Sequence, residues 1–194
     1  MQRLGGIFMN RDRKIALSEE LIQQAEKAKE KILADMISEQ EQRLSPTQFK
    51  TAQTGILPRL AWYLALTEHG ASSEEALKQI WEDLIGSVGA KKRFASFCGS
   101  IPGGFSLFRK IFYQALQSDL WDNQFYQNDS QGLCFHTTRC LYKDLADYYH
   151  CPEVAVLFCK VDHVMFDNLK HIRFERSQTL GEGGSLCDFH YYKQ

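Results

Sequence analysis

The stretch Leu133-Cys134-Phe135-His136-Thr137-Thr138-Arg139-Cys140 decides how the fold is interpreted, because helical periodicity gives way to strand periodicity there. Its apolar and polar side chains tend to alternate, and it contains β-branched and aromatic residues. Both features are typical of a strand. Residues 172–179 and 186–192 have a similar composition, and Gly181-Glu182-Gly183-Gly184-Ser185 joins them. Because glycine supplies the positive φ of a tight reversal, these two segments predict a hairpin. We therefore expect an antiparallel sheet built from these three strands.

Two helices are predicted between the first strand and the second. Residues 141–149 place Leu141 and Leu145 on one face, and residues 152–168 carry a second apolar seam. The sequence His150-Cys151-Pro152 separates them, because proline disfavours helical geometry in the residue before it and fits the first turn of the next helix.

The part of the chain before residue 131 is mostly helical in pattern. Residues 18–43 repeat apolar side chains at three- and four-residue steps, as in an amphipathic helix that packs on the domain or pairs with a second subunit. Ser45-Pro46-Thr47-Gln48 and Ser72-Ser73-Glu74-Glu75 have the form of helix caps. Residues 60–66 are apolar enough to lie in the central core.

Residues 86–131, which precede the first predicted strand, have less regular secondary-structure patterns than the rest of the chain. Residues 86–104 are expected to be loosely structured, and their basic triplet Lys91-Lys92-Arg93 is interpreted as solvated surface, with binding of an anionic substrate as the alternative. Residues 105–121 predict a helix, and residues 122–131, rich in Asn, Asp and Gln, predict a loop.

The fold class that these patterns predict is α+β. Mostly helical residues 1–130 pack on a small antiparallel sheet formed by the C-terminal third, and residues 131–194 form an α/β part that carries the site motifs. At 194 residues the chain fits a single domain, residues 1–194.

Charge and hydropathy exclude several classes of function. The formal net charge is -1, so we expect no strong overall field and neither nucleic acid nor membrane as a partner. The longest apolar run, residues 60–66, is far shorter than the ~20 residues that span a bilayer. Since Met1-Gln2-Arg3-Leu4-Gly5-Gly6 lacks a signal-peptide core, a cytoplasmic location is expected, with the six cysteines as thiols.

One candidate catalytic cluster is Cys159-x-x-Asp162-His163. On a helix, positions three and four apart share a face, so a thiol, a carboxylate and an imidazole project together. A thiol beside an imidazole forms thiolate at neutral pH, as nucleophilic catalysis requires. The alternative is that Cys159 is a small buried apolar side chain.

A second cluster, Cys187-Asp188-Phe189-His190, lies on the last predicted strand. Alternation sends Cys187 and Phe189 to one face, and Asp188 and His190 to the other. If Cys187 faces the helices, it lines the same cavity as Cys159, while Asp188 and His190 face solvent or another subunit. The alternative is a cysteine that only packs the sheet.

Candidate substrate-binding residues lie on or near the strands. Arg139 and Arg176 are suited to clamp a substrate carboxylate in a bidentate manner, with structural ion pairs as the alternative. His136 shares a strand face with Cys140, and Tyr142 follows shortly. No cofactor is predicted. Zinc accepts thiolate, imidazole and carboxylate ligands, and the candidate ligands are His136, Cys140, Cys159, Asp162, His163 and Cys187. Their spacing matches no finger or ribbon, so no metal is assigned.

Several of these motifs together carry a family resemblance. The order and spacing of Arg139-Cys140-x-Tyr142, Cys159-x-x-Asp162, Arg176-x-x-Thr179-Leu180 and Gly183-x-x-x-Cys187-Asp188-Phe189 resemble the L-2-amino-thiazoline-4-carboxylic acid hydrolase family. The resemblance is strong over roughly the last 60 residues, whereas the helical N-terminal part resembles the family only in its general character.

The resemblance implies a hydrolase that opens a small cyclic isothiourea to an N-carbamoyl cysteine type of product. In that chemistry a cysteine attacks the ring carbon, with Cys159 ahead of Cys187 and Cys140. Asp162 polarises the substrate nitrogens, His163 or His136 moves protons, and an arginine anchors the carboxylate.

Two other functions stay open at this point. The Gly183-x-x-x-Cys187-x-Phe189 pattern also weakly resembles small-molecule-binding domains of the vinyl reductase type, which implies a sensor or carrier without turnover. A homodimer formed through the N-terminal helices is the other alternative.

Overall fold

The computed structural model describes residues 17–194. The stretch Met1-Gln2-Arg3-Leu4-Gly5-Gly6, on which the expectation about export rests, lies outside these residues. The helices are α1 (Glu19–Gln40), α2 (Pro46–Thr51), α3 (Leu57–Glu68), α4 (Ser73–Ser87), α5 (Gly89–Ser100), α6 (Gly104–Ala115), α7 (Leu141–Tyr148) and α8 (Pro152–Phe166). The strands are β1 (Trp121–Asn128), β2 (Gly132–Cys140), β3 (Ile172–Glu175) and β4 (Cys187–Lys193). Among the described residues no helix is long and apolar enough to cross a bilayer.

The strands form one antiparallel sheet in the order β1-β2-β4-β3. Phe135 of β2 lies opposite Phe189 of β4, and Glu175 of β3 lies opposite His190. The α+β prediction is therefore confirmed, with helices before the sheet and two more between its second and third strands.

The sheet differs from the prediction in two places. Residues 122–131, predicted as a loop, belong largely to strand β1, whose exposed residues alternate with half-buried ones at an edge of the sheet. Residues 172–179 form a strand only as far as Glu175. The connection to β4 is therefore a longer loop with a 3-10 turn (Leu180–Glu182) rather than a tight hairpin. Gly183, with φ +87°, provides the positive φ expected there.

The helical part contains one further correction. Residues 86–104, expected to be loose, contain helix α5, which packs on α6 and α8. Contacts with these helices stabilise a segment whose glycines and serines are poor helix formers. Both expected capping boxes are present, at Ser45 with Gln48 and at Ser72 with Glu75.

A π-helical turn (Ala52–Ile56) joins α2 to α3 just before Pro58. Proline lacks the N–H that a regular helix would use at this point, so the hydrogen-bond ladder changes register there.

One part of the core lies between the inner face of the sheet and helices α6 and α8, and the rest lies among the other helices. Tyr191 of β4 is fully buried, with ring centroids 5.1 Å from Phe112, 5.2 Å from Phe166 and 5.0 Å from Phe174. Aromatic rings at such distances add to the free energy of burial. This aromatic layer holds α8, and with it Cys159 and Asp162, against the sheet.

Candidate functional site

A groove of about 530 Å³ opens where strand β2 runs into helix α7. One wall is formed by the end of β2 and by α7, and the other by the loop after β3 together with Pro152 at the start of α8. The lining residues are Thr138, Arg139, Cys140, Lys143, Asp144, Asp147, Pro152, Leu180, Gly181, Gly183 and Gly184. Its size is in the range typical of small-molecule sites.

Arg139 lies at the rim of the groove, with its side chain 39% exposed. Its Nε is 3.1 Å from Asp122 Oδ2, its Nη1 is 3.1 Å from Asp144 Oδ2, and its Nη2 donates to the Asp119 carbonyl at 3.2 Å. Hydrogen bonding to Asp122 is the largest contribution that raises the pKa of Arg139. Two carboxylates therefore fix the orientation of this guanidinium beside the groove.

Cys159 lies directly behind the groove wall. A Cβ atom added to Gly181 would come within 2.7 Å of the Cys159 sulfur and 3.1 Å of the Ala155 carbonyl oxygen. Only a glycine fits between the loop and α8 at this point. The thiol is therefore separated from the groove by one backbone segment, and it is itself half-buried.

Three thiols lie close enough to one another to interact electrostatically: Cys140, Cys159 and Cys187. Burial raises the pKa of Cys140 to about 12 and that of Cys187 to about 11. Burial also raises the pKa of Cys159, although contacts with the Thr179 hydroxyl and the Gly181 N–H and the charge of Arg176 oppose the rise. Cys159 is the thiol of the three that contacts the Thr179 hydroxyl. The Cys187 sulfur accepts a hydrogen bond from the Leu180 N–H at 3.2 Å.

Asp162 is bound to Arg176 rather than aimed into the groove. Arg176 Nη1 lies 2.6 Å from Asp162 Oδ2, and Nη2 donates to the Cys159 carbonyl at 2.8 Å. The guanidinium lies 5.3 Å from the ring centroid of Phe189. Burial raises the pKa of Asp162 to about 6, against the opposing effect of Arg176. Arg176 therefore forms a structural ion pair that joins α8 to the loop after β3.

His163 is not paired with Cys159. Its Nδ1 lies 3.1 Å from Asp167 Oδ1, its side chain is 45% exposed, and its ring packs 5.3 Å from that of Phe174. The spacing of Cys159 and His163 permits a pair, but the histidine instead binds the carboxylate one turn further along the helix.

The other candidates lie in different surroundings. His136 is on the outer face of the sheet, 4.8 Å from the Tyr126 ring. Tyr142 is packed against Trp121 and Phe158, and burial raises its pKa to about 12. Neither His136 nor Tyr142 is among the residues that line the groove.

Asp188 was expected to face solvent or another subunit, and this is wrong. It is 7% exposed and accepts hydrogen bonds from the Ser177 N–H at 2.9 Å and the Gln178 N–H at 2.7 Å. Burial would raise its pKa, but these bonds outweigh burial, so the pKa of Asp188 is lowered. Asp188 thereby fixes the start of the loop that carries Thr179 and Gly181.

Sequence reasoning included Thr179 in a family motif without giving it a role, and it overlooked Gly181 and Lys143 as parts of the site. Thr179 is 1% exposed, and its hydroxyl caps the 3-10 turn by accepting the Glu182 N–H at 3.1 Å. A threonine followed three residues later by Glu182 is a capping pattern that could have been recognised. Lys143 pairs with Asp147 along the groove wall. Among residues 17–194 no group of three or more His, Cys, Asp or Glu side chains is arranged to hold a metal ion.

Comparison with known proteins gives one match. A family model described as L-2-amino-thiazoline-4-carboxylic acid hydrolase matches residues 48–191, which include every residue that lines the groove. No curated protein and no solved structure shows a significant similarity to this chain. Because the match covers well over half of the sequence, including the segments that contain Arg139, Cys159, Arg176 and Cys187, the chain belongs to the L-2-amino-thiazoline-4-carboxylic acid hydrolase family.

Proposed function

We propose that the protein is a hydrolase that opens a small cyclic amidine or isothiourea, of the L-2-amino-thiazoline-4-carboxylate type, in the groove between β2, α7 and the loop after β3. The observation that carries this proposal is the family match, which includes the whole groove. A cavity of about 530 Å³ accommodates a five-membered ring with one carboxylate and leaves room for water.

Arg139 is the proposed anchor for the substrate carboxylate. Its guanidinium lines the groove and is partly exposed, so a substrate carboxylate can reach it by displacing Asp122 or Asp144. A guanidinium binds a carboxylate through parallel charge-assisted hydrogen bonds, which fix orientation as well as contributing affinity. Arg176, 3% exposed and engaged with Asp162, has the role of a positioning residue in this proposal.

Cys159 is the proposed nucleophile, and because its sulfur lies behind Gly181, the loop at Gly181 must move aside for the thiol to reach a substrate in the groove. Its thiolate adds to the ring carbon between sulfur and nitrogen, and the bond from that carbon to the ring sulfur breaks, so the ring sulfur leaves as a thiolate and takes up a proton. Water then adds to the same carbon and expels the Cys159 thiolate. The net change is addition of one water molecule, which yields an N-carbamoyl cysteine, and no oxidant or reductant is needed.

Thr179, Gly181 and Arg176 support the Cys159 assignment, because each opposes the effect of burial on the thiol pKa. Asp162 acts in the other direction, because its charge raises the pKa of Cys159, but its own pKa of about 6 suits it to proton transfer near neutral pH. His163 and His136 lie on other surfaces and are assigned no step.

The test is incubation of the purified protein with L-2-amino-thiazoline-4-carboxylate in ¹⁸O-labelled water, with mass spectrometry of the product. We expect one labelled oxygen in the carbamoyl group, loss of turnover in Cys159→Ser, and a raised KM in Arg139→Gln. Cys151→Ser is the matched control, because Cys151 is fully buried and does not line the groove. Full turnover in Cys159→Ser would move the nucleophile to Cys140 or Cys187.

A second candidate function is a binding module that holds such a ligand without turning it over. The observation in its favour is that burial raises the pKa of all three thiols near the groove, while His163 is paired with Asp167. Calorimetry distinguishes the two functions: saturable binding of the thiazoline acid without any product would favour the binding module.

A further inference from the structure

Helices α5 and α6 form a surface that differs from the rest of the molecule. Between Gly86 and Ser118 the sequence contains no Asp or Glu, whereas the chain as a whole has a net charge of -1. The basic residues of this segment are Lys91, Lys92, Arg93, Arg109 and Lys110. All except Arg109, which donates to Asn128, are exposed. Positive charge is therefore concentrated on this hairpin of helices.

The same surface exposes large apolar side chains. On α5, Ala95 and Cys98 face the protein, while Phe94 is 37% and Phe97 is 56% exposed. On α6, Leu107 and Ile111 are one helical turn apart and are 39% and 42% exposed. Since α5 and α6 pack on each other, these four residues lie on neighbouring helices. We call Phe94, Phe97, Leu107, Ile111 and the four exposed basic residues the α5–α6 surface.

We propose that the α5–α6 surface docks on an anionic lipid surface. Aromatic and aliphatic side chains beside lysine and arginine are the composition of helices that lie in a membrane interface, with apolar groups in the acyl boundary and cations at the headgroups. Such helices lie on a bilayer and do not cross it, so the proposal agrees with the lack of a spanning helix among residues 17–194 but departs from the expectation, based on net charge, that no membrane is a partner. The proposal is independent of the reaction proposed for the groove.

Charge argues against a second copy of the chain as the occupant. In a two-fold dimer the same patch lies on both sides of the interface. The α5–α6 surface would then place lysines and arginines opposite lysines and arginines, with no carboxylate from residues 86–118 to neutralise them. An anionic occupant is complementary to this surface, whereas a second copy is not.

The test is co-sedimentation of the full-length protein with vesicles of phosphatidylcholine alone and with vesicles of equal parts phosphatidylcholine and phosphatidylserine. We expect binding to the anionic vesicles that weakens as salt is added, because exposed charges are screened. The triple variant Lys91→Gln/Lys92→Gln/Arg93→Gln should bind roughly tenfold more weakly or worse, since each basic residue near an anionic surface contributes measurably to affinity.

Matched controls distinguish binding through the α5–α6 surface from nonspecific electrostatic or hydrophobic binding elsewhere on the protein. Lys27→Gln/Lys31→Gln removes exposed charge from α1, and Tyr126→Gln removes an aromatic side chain that is 54% exposed on β1. Both controls should bind as the unchanged protein does, and Phe97→Gln should bind more weakly. In Phe97→Trp, anionic vesicles should shift the added indole emission to shorter wavelength.

Several outcomes would overturn the proposal. One is that the protein does not bind anionic vesicles, and another is that the controls lose as much vesicle binding as the α5–α6 variants do. A third is that the protein self-associates in ultracentrifugation and that Phe97→Gln abolishes this self-association. Because all the substituted side chains are exposed, each variant should retain the circular dichroism spectrum of the unchanged protein.

Discussion

Arg176 places its Nη1 atom 2.6 Å from Asp162 Oδ2 beneath the sheet, where the arginine side chain is 3% and the aspartate side chain 21% exposed. The same guanidinium donates to the carbonyl of Cys159. One side chain therefore links the helix that carries the proposed nucleophile to the loop that covers it, and the integrity of the groove depends on this contact.

Arg176→Met should destabilise the protein by about 3–5 kcal/mol, because it leaves the Asp162 carboxylate buried without its cation. Urea unfolding at neutral pH measures the loss. Arg173→Met is the matched control: Arg173 pairs with Glu175 at the surface, with both side chains about half exposed, and such pairs contribute at most about 1 kcal/mol. Similar losses in the two variants would contradict the structural role of Arg176.

The effect of Arg176→Met should also depend on pH. In the unchanged protein the folded-state pKa of Asp162 is about 6, above the value of about 3.9 expected in the unfolded chain. Its contribution to stability is therefore present at low pH and is lost as pH rises through about 6. Without Arg176 the folded pKa rises further, so the loss grows at pH 8 and shrinks at pH 5. Urea unfolding at these two pH values should show the difference, and a pH-independent loss would rule out this explanation.

Asp188→Asn should lower stability at neutral pH by about 1–3 kcal/mol, because a buried carboxylate that accepts several hydrogen bonds is replaced by an amide that cannot accept them all. The folded-state pKa of Asp188 is lowered, so its stabilisation is present above the unfolded pKa and is lost as pH falls through the folded one. The variant should therefore lose less stability on acidification than the unchanged protein. Asp35→Asn, on the exposed side of α1, is the control and should cost little stability at neutral pH.

Sequence patterns predicted some of these contacts and could not have predicted others. The spacing of Cys159 and Asp162 placed both on α8, and both do contact Arg176. Helical spacing could not select a partner for His163, because Cys159 and Asp167 lie four residues on either side of it. The histidine binds Asp167, which is the charged partner of the two.

Strand β1 was predicted as a loop for a related reason. Strand β1 is rich in Asp, Asn and Gln, which are typical of loops, and it is held at the sheet edge by pairing with β2. That pairing is tertiary information, and so is the position of Asp188, whose partners come from a loop more than nine residues away in sequence.

Gly181→Ala should destabilise the protein by about 1–3 kcal/mol, the usual cost of forcing a methyl group into a packed region. The new Cβ would meet the Cys159 sulfur at 2.7 Å and the Ala155 carbonyl oxygen at 3.1 Å, so α8 or the loop must shift. Gly86→Ala is the control: nothing lies within 4 Å of its Cβ position, and alanine favours the helix. Thermal unfolding should show a lower Tm for Gly181→Ala and an unchanged or higher Tm for Gly86→Ala. Equal effects would mean that the close approach to Cys159 is not maintained in solution.

Thiol alkylation should proceed in two phases. Cys140 and Cys159 are half-buried, whereas Cys98, Cys134, Cys151 and Cys187 are buried, so two sites should react before the other four. Within the first phase we expect Cys159 to lead. Burial raises the pKa of Cys140 to about 12, while Thr179, Gly181 and Arg176 limit the rise at Cys159. Because iodoacetamide reacts with the thiolate, both sites should react more slowly than a free thiol with a pKa of about 8.5.

Mass spectrometry after brief labelling gives the order of modification, and labelling in concentrated urea, where all six thiols should react alike, is the control. The thiazoline acid should slow labelling of Cys159 and Cys140 and leave the four buried thiols unaffected. In Cys159→Ser the leading modification should disappear and Cys140 should become the first site. If Cys151 or Cys98 were modified ahead of Cys159, the loop at Gly181 would be closed over the sulfur in solution. The nucleophile would then have to be Cys140, whose side chain lines the groove directly.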